Sequence, residues 1–556
     1  MKPFEVPMFL TSLFALCFSP GLDVRPAHAD IAFGEPVNLR SIIPLIDPAH
    51  ESIDCLSSDG LEMYIESDRA GGRGNFDGWV LRRSSVHEDW GLPENLGTAV
   101  NSSAFDAAFA ISEDGLTLHF HSTRSGGHGS TDIYVTTRPT KDAPWGQAVN
   151  IGPPINSSAW DGVPSMSPDG LELYFTSRRT GGQGGADGYV TRRASRADPW
   201  GEAENLGPAL NSPYDETNHN LSPDGLLLFF SGNPWADTHR PGGYGDCDMW
   251  MTRRASLSSP WVTPVNMGRM VNSFVHDVMP RFSPDGTALY FVTNSGNAWE
   301  NWQAPILPIV DFNGDGKANG KDVVVLTQHW GQSDSICDIG PYAWGDGIVD
   351  EQDLFMLAEY LEKEVVDPTL VAHWALDETE GMMAADSAGD SDAVVMGDPA
   401  WQPDGGSVGG ALAFDGADDC IVTDPVPELS AGPFSILAWV KGGTPDEVIV
   451  SGGAADWLYT NPADGSLMTA LSSIAGNGVP LFSDVVITDG RWHRIGLVWD
   501  GTSRILLVDE QEVARDEQGE LAIPNAGLII GAGAAPNRFF SGQIDDLRIY
   551  RRAVKP

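Results

Sequence analysis

The spacing that most constrains chemistry in this chain is the twelve-residue stretch 311–322, DFNGDGKANGKD. Side-chain oxygens stand at positions one, three, five, nine and twelve, as Asp311, Asn313, Asp315, Asn319 and Asp322, and the Lys317 carbonyl falls at position seven. Alternate residues of such a loop point inward, Gly316 lies at the sharp turn, and hard oxygen donors in this order hold Ca²⁺. The following VVVLTQHW reads as a helix. A looser copy comes next, within CDIGPYAWGDGIVDEQDLFMLAEYLE. There Asp346, Asp350 and Asp353 occupy positions five, nine and twelve, and the Ile348 carbonyl position seven. Tyr342 and Trp344 stand at one and three, so Asp338 is the substitute donor that bends in.

Aspartate at position twelve, a helix after the loop but none before it, and duplication within about thirty residues resemble a type I dockerin. The resemblance implies two bound Ca²⁺ ions and docking to a cohesin-type protein in an assembly that degrades polysaccharide. Its partner code lies at positions ten and eleven, normally small or hydroxyl residues. Here those are Gly320 with Lys321, and Glu351 with Gln352. A calcium-clamped connector within the chain is therefore the competing reading.

A second set of acids precedes a recurring Asp-Gly pair: Glu51, Asp106, Asp161, Asp215 and Asp277. Placed around one central mouth, paired carboxylates at a defined separation would do the acid and base work of glycoside hydrolysis. The simpler expectation is that acids repeated identically bond their own backbone in turns. Catalytic groups should break the repeat, and these keep it. The accompanying Gly-Gly-x-Gly is followed by a strand pattern, so it reads as a turn rather than a phosphate loop.

A third group lies in 368–553, where LVAHWALDETEGMMAADSAG, GGALAFDGADDCIVT, FSILAWVK, GRWHRIGLVWDG and FFSGQIDDLRIYRRA follow in order. Short alternating strands parted by Gly, Asp and Pro turns predict a β-sandwich. The ordered phrases resemble the LamG-like jelly roll of the concanavalin-like superfamily. That resemblance implies side-by-side first and last strands and a structural Ca²⁺ at Asp386 and Asp545, with Asp546 adjacent. The competing reading makes Asp386 a turn residue and leaves Asp545 in water. Trp457, Tyr459 and Trp492 are either sugar-stacking aromatics or, more commonly, packing residues.

The elements that position these groups follow from the Asp-Gly pairs, at Asp59, Asp114, Asp169, Asp224 and Asp285, a period of 55 residues that lengthens once to 61. Each repeat carries four short β-type runs, the content of one propeller blade. The extra residues fall in NPWADTHR, a loop insertion. A Trp-led fourth run follows repeats one to four, at Trp90, Trp145, Trp200 and Trp261, and is missing from the fifth. FGEPVNL at 33–39 matches WGEAENL and is expected to complete blade five, closing a five-bladed ring over 30–306. The Ser-Pro-Asp-Gly repeats resemble the WD40-like, TolB-type (PD40) propellers, which implies a binding platform for proteins or glycans.

The expected fold class is thus mainly β and multidomain: a five-bladed propeller, a small α-helical module at 309–364 and a jelly roll at 368–553. Residues 1–29 read as an export signal, with Lys2, an apolar stretch and Ala27-His28-Ala29, so the protein is expected to be secreted or held at a cell surface. The formal charge of −44 repels nucleic acid and anionic lipid, and no later stretch is apolar enough to span a membrane. Cys55, Cys247, Cys337 and Cys420 are spread over the domains and read as isolated small hydrophobes. No Ser-His-Asp set, zinc spacing or nucleotide motif is evident. The sequence points to a calcium-dependent binding protein for a polysaccharide or glycoprotein ligand; a carbohydrate-active hydrolase is the alternative.

Overall fold

In the repeats the chain folds around one turn device. The Ser57 hydroxyl donates to Asp59 at 2.6 Å, and Asp59 accepts from the Leu61 N–H; the pairs 112/114, 167/169, 222/224 and 283/285 repeat the first bond. Only the glycine of each Asp-Gly pair is left-handed, with φ between 67° and 74°, a conformation glycine adopts without steric cost. In this computed structural model the described residues are 31–554 except 42, 44–49, 237, 295–298, 334–336, 364, 366, 368, 390, 427–428, 430–432, 454, 474–478, 519–520, 524–525 and 534–537. The expected export signal lies outside them.

Each turn joins the first two strands of an antiparallel blade. Blade one is Glu51–Leu56, Glu62–Ser67, Asp77–Arg82 and the short Glu94–Asn95. The first strands of the five blades, Glu51–Leu56, Asp106–Ile111, Asp161–Met166, Thr217–Leu221 and His276–Phe282, touch one another in sequence, and the last touches the first, so they line the axis. The ring is closed by the amino-terminal segment. Val37 pairs with Gln303 and Ile31 with Pro308 on Trp299–Pro308, which completes blade five as expected. The regular part of the fourth strand is only two residues long. The Trp before it lies under an arginine instead, with Arg83, Arg138, Arg193 and Arg254 at 4.2 to 4.7 Å from the rings of Trp90, Trp145, Trp200 and Trp261.

Two helices follow, α1 (Gly320–Gln328) and α2 (Glu351–Tyr360). Both are opened by capping boxes, Asn319 with Asp322 and Asp350 with Asp353, which satisfy backbone N–H groups at each start. Beyond them two eight-stranded antiparallel sheets form the sandwich, and its first strand, Leu370–Trp374, pairs with its last, Gly542–Tyr550, as expected. Trp374, Trp457, Phe434 and Ile436 are among the residues of its apolar core. Trp457 and Tyr459 are both buried, the packing role that was the commoner expectation, and Trp492 is the only partly exposed one of the three. No disulfide joins the four described cysteines to one another. No helix among the described residues is long and apolar enough to cross a membrane.

Candidate functional site

The acids that open the inner strands are consumed by structure. Asp106 accepts from the Ser102 N–H and hydroxyl and pairs with Arg124; Asp161 does the same with Ser157 and Arg179; Asp277 accepts from Ser273 and Thr293. Glu51 pairs with Arg69 and Ser67. In blade four the equivalent acid is Glu216, which takes the Ser212 N–H and hydroxyl, and not Asp215 as the spacing from the turn suggested. Burial pushes the Glu216 carboxyl from 4.5 up to about 7, with the Ser212 bonds and Arg240 opposing. The Gly-rich turns are likewise filled. Their N–H groups donate to Asp77, Asp132, Asp187 and Asp248, each also bonded by an Asn of the fourth strand, which leaves no cradle for a phosphate.

The residue before each acid breaks the repeat: His50, Phe105, Trp160, Asp215 and His276. On this face the rings run in two rows. His50, Phe76, Phe105, His121 and Trp160 lie in succession at 6.5, 5.0, 5.7 and 5.5 Å between centroids across blades one to three. Trp235, Trp299, His276 and His239 follow at 6.0, 6.4 and 6.0 Å across blades four and five. Trp235 comes from the NPWADTHR insertion and is 82% exposed. Between the rows Asp215 accepts from Arg178, Asn233 and the Ala186 N–H. Apart from the buried His121 these rings are at least part exposed, and with polar groups between them they form a surface suited to flat, partly apolar ligands.

Deeper on the axis the inner strands bulge, with Ala108, Val163, Asn218 and Met279 at positive φ. The freed N–H groups of Ala108 and Val163 donate to Glu66 and His121 of the preceding blade. Asp54, Glu66, Arg281 and His219 cluster at this depth at positions that other repeats fill differently. Arg281 donates to the carbonyls of Asp54, Asn218 and Pro280. Both carboxylate oxygens of Asp54 and Nε2 of His219 are buried without a hydrogen-bond partner. Burial, with the Glu66 charge adding to it and Arg281 opposing, holds the Asp54 carboxyl well above the usual range. Sequence reasoning missed both the rings and this cluster, although the departure from the repeat at these positions was their visible signal.

In the loop 311–322 the acids take up the loop's own N–H groups and amides. Asp311 accepts from the N–H groups of Asp315 and Gly316, and the amides of Asn313 and Asn319 both reach Asp315. Asp322 takes the N–H groups of Phe312, Asn313 and Asn319. Burial, with Asp367 and Asp322 adding to it against Arg552, pushes Asp311 up to about 7. Crowded carboxylates with amide and carbonyl oxygens fit a hard divalent cation. In the second loop Asp338 takes the N–H groups of Asp346 and Gly347, the bonds Asp311 makes in the first, and Asp353 takes those of Ile339, Gly340 and Asp350. Tyr342 and Trp344 leave the loop altogether. They stack at 4.9 Å, Trp344 packs on Phe282 in the core under blades four and five, and its Nε1–H donates to Asp224 at 2.7 Å.

In the sandwich the two acids read as ligands of one ion accept from different stretches of backbone. Asp386 accepts from the N–H groups of His373, Ala388, Gly389 and Ser391, a turn role. Asp545 accepts from Ser407 and Val408 through Oδ2, while Oδ1 is buried without a partner. Burial, reinforced by Asp546 and Asp377, pushes Asp545 up to about 7 against those two N–H bonds. The fold also assembles a Ser-His-Asp chain that the sequence did not reveal. Ser387 Oγ lies 2.7 Å from Nδ1 of His373, and its Nε2 lies 2.8 Å from Asp546. Arg548 shares Asp546, and the N–H groups of Ala388 and Gly389 that follow the serine are spent on Asp386 rather than offered as an oxyanion hole.

The concanavalin A-like lectin/glucanases superfamily matches residues 415–556. The sialidase of Trypanosoma rangeli is similar at 11% identity over 91% of this chain and 92% of its own, with a TM-score of 0.47. Domain 4 of AbnA, an extracellular arabinanase of Geobacillus stearothermophilus solved with arabinotriose, is similar at 19% identity over 34% of this chain and 94% of its own, with a TM-score of 0.25. Likenesses this slight carry nothing about activity. No curated protein matches the chain.

Proposed function

We propose that this chain is an exported, calcium-stabilised carbohydrate-binding protein whose WD40-like propeller presents its two rows of rings to a polysaccharide or glycoprotein glycan. The observation that carries the reading is the break in repeat symmetry that places His50, Phe105, Trp160, Trp235, His276 and Trp299 on one face. Apolar sugar faces stack on such rings, and each ring buried by a ligand contributes in proportion to the area removed from water. The match of the sandwich to a lectin and glucanase superfamily supports a second glycan-binding module. The module at 309–364 is dockerin-like, with Ca²⁺ at Asp311, Asn313, Asp315, Lys317 O, Asn319 and Asp322, and at Asp338, Asp346, Ile348 O, Asp350 and Asp353. It serves here as a connector. Lys321, at position eleven of the first loop, is bonded to Glu510 of the sandwich, and Trp344 is held by the propeller, so a cohesin-type partner would meet surfaces already in use.

The test is a glycan array probed with the full chain and with Trp235→Ala/Trp299→Ala. A ligand retained by the wild type and lost by the double variant, with unchanged thermal unfolding, supports the reading. Equal retention by both proteins refutes the assignment to this face. A hydrolase remains tied to one observation, the unsymmetrical Asp54 and Glu66. Glu66→Gln that binds the array ligand but no longer releases reducing ends would move the protein to the enzymes.

A further inference from the structure

The first calcium loop is gripped from outside by the sandwich. Arg494, on the strand Trp492–Trp499, donates to the carbonyls of Asn313 and Gly314 at 3.2 and 2.6 Å. The Tyr550 hydroxyl, on the last strand, donates to the Gly314 carbonyl at 3.0 Å. Arg552 reaches the carbonyls of Asp311 and Phe312 and is itself paired with Asp367 at 2.8 Å. Arg548, paired with Asp546, lies against Gly316, so close that a Cβ there would meet its guanidinium at 2.4 Å. All four side chains are buried. The carbonyls of positions one to four thus face another domain, while the side chains of Asp311 and Asn313 bond within the loop.

We infer that Ca²⁺ binding at Asp311–Asp322 and docking of the sandwich are one coupled equilibrium, with Arg494, Tyr550 and Arg552 acting as positioning residues for the metal loop. The inference rests on the reading that this loop binds Ca²⁺. Without the ion, Asp311, Asp315 and Asp322 are like charges within one loop, and the loop backbone relaxes. The carbonyls then leave the geometry that the two guanidinium groups require. With the ion, ligation fixes the carbonyls, and each guanidinium meets a charge-assisted acceptor at short range. Arg552 and Arg548 do not oppose the cation strongly, because each already shares an acid. Coupling of this kind is reciprocal: whatever the ion adds to docking, docking adds to ion affinity. Because Trp344 fixes the same module to the propeller, the ion sets the placement of the sandwich relative to the glycan-facing rings.

The experiment uses the full chain, with Ca²⁺ alone as the probe. Isothermal titration gives the dissociation constant for the wild type, Arg494→Gln and Tyr550→Phe, and small-angle scattering with and without chelator gives the radius of gyration. The expected result is a dissociation constant raised about five-fold or more in Arg494→Gln and less in Tyr550→Phe, with an expansion on chelation in the wild type. The tyrosine variant keeps its ring, so it reports on the hydroxyl even if the arginine variant fails to fold. Wild-type affinity in both folded variants, or identical scattering with and without chelator, overturns the coupling while leaving calcium binding intact. A wild type that takes up no Ca²⁺ refutes the calcium reading itself, and the coupling with it.

Discussion

The module between the two large domains should lose its hold on the propeller when one ring is removed. Trp344 is 3% exposed, packs against Phe282 at 5.4 Å and donates its indole N–H to Asp224, which also closes the blade-four turn through Ser222. Trp344→Ala deletes a buried ring, for which comparable truncations cost about 3–5 kcal/mol. Trp344→Phe keeps most of the apolar contact and loses the bond to a carboxylate, worth about 1.5–3 kcal/mol. The variants should therefore rank wild type, Phe, Ala, in propeller stability. For a domain this large the melting point falls by about 2–4 °C per kcal/mol, so calorimetry should show the propeller transition lower by roughly 10 °C in the alanine variant and about half that in the phenylalanine variant. The sandwich transition should shift less, because Trp344 touches none of its core. Equal propeller transitions in all three proteins would refute the view that the second loop has become a docking device.

Two further outcomes follow from buried acids of opposite sign. Glu216 is held up at about 7 by burial, so between pH 4.5 and 7 the folded protein keeps a proton that the unfolded chain has lost. Stability therefore falls as pH rises through that window, by up to about 3 kcal/mol, and Glu216→Gln should flatten the slope in urea melts at pH 5 and 7.5. Glu62 behaves in reverse. Burial opposes its ionisation, but Arg138 and Tyr64 donate to it and hold the carboxyl below its ordinary value, so its contribution is present above that value and lost as pH falls through the lowered one. Arg138 comes from blade two and Glu62 from blade one. Arg138→Ala removes the ion pair from the neighbouring blade but leaves Arg82 and Tyr64 on that acid, and should cost about 1.5–3 kcal/mol at pH 7; a loss under 1 kcal/mol in denaturant melts would contradict the inter-blade role.

Whatever is written in local, periodic terms could be read from the chain alone. A 55-residue period of Asp-Gly turns specifies the blades, because a glycine that must be left-handed and a serine that bonds the aspartate two residues on are local requirements. The match of 33–39 to the missing fourth run identified the strand that closes the ring, and the turn at 311–322 was legible because the groups that bond across it are near neighbours in the chain. Features that depend on residues from different repeats meeting came into view with the folded chain. The inner-strand acids proved to be turn and ion-pair residues, with Glu216 taking the place assigned to Asp215, since a one-residue offset is invisible until the hydrogen bonds are drawn. The two rows of rings, the Asp54, Glu66 and Arg281 cluster, the Ser387-His373-Asp546 chain and the grip of Arg494 on Gly314 each join positions tens to hundreds of residues apart. Such contacts are set by how blades and domains pack against one another, and no spacing along the chain encodes them.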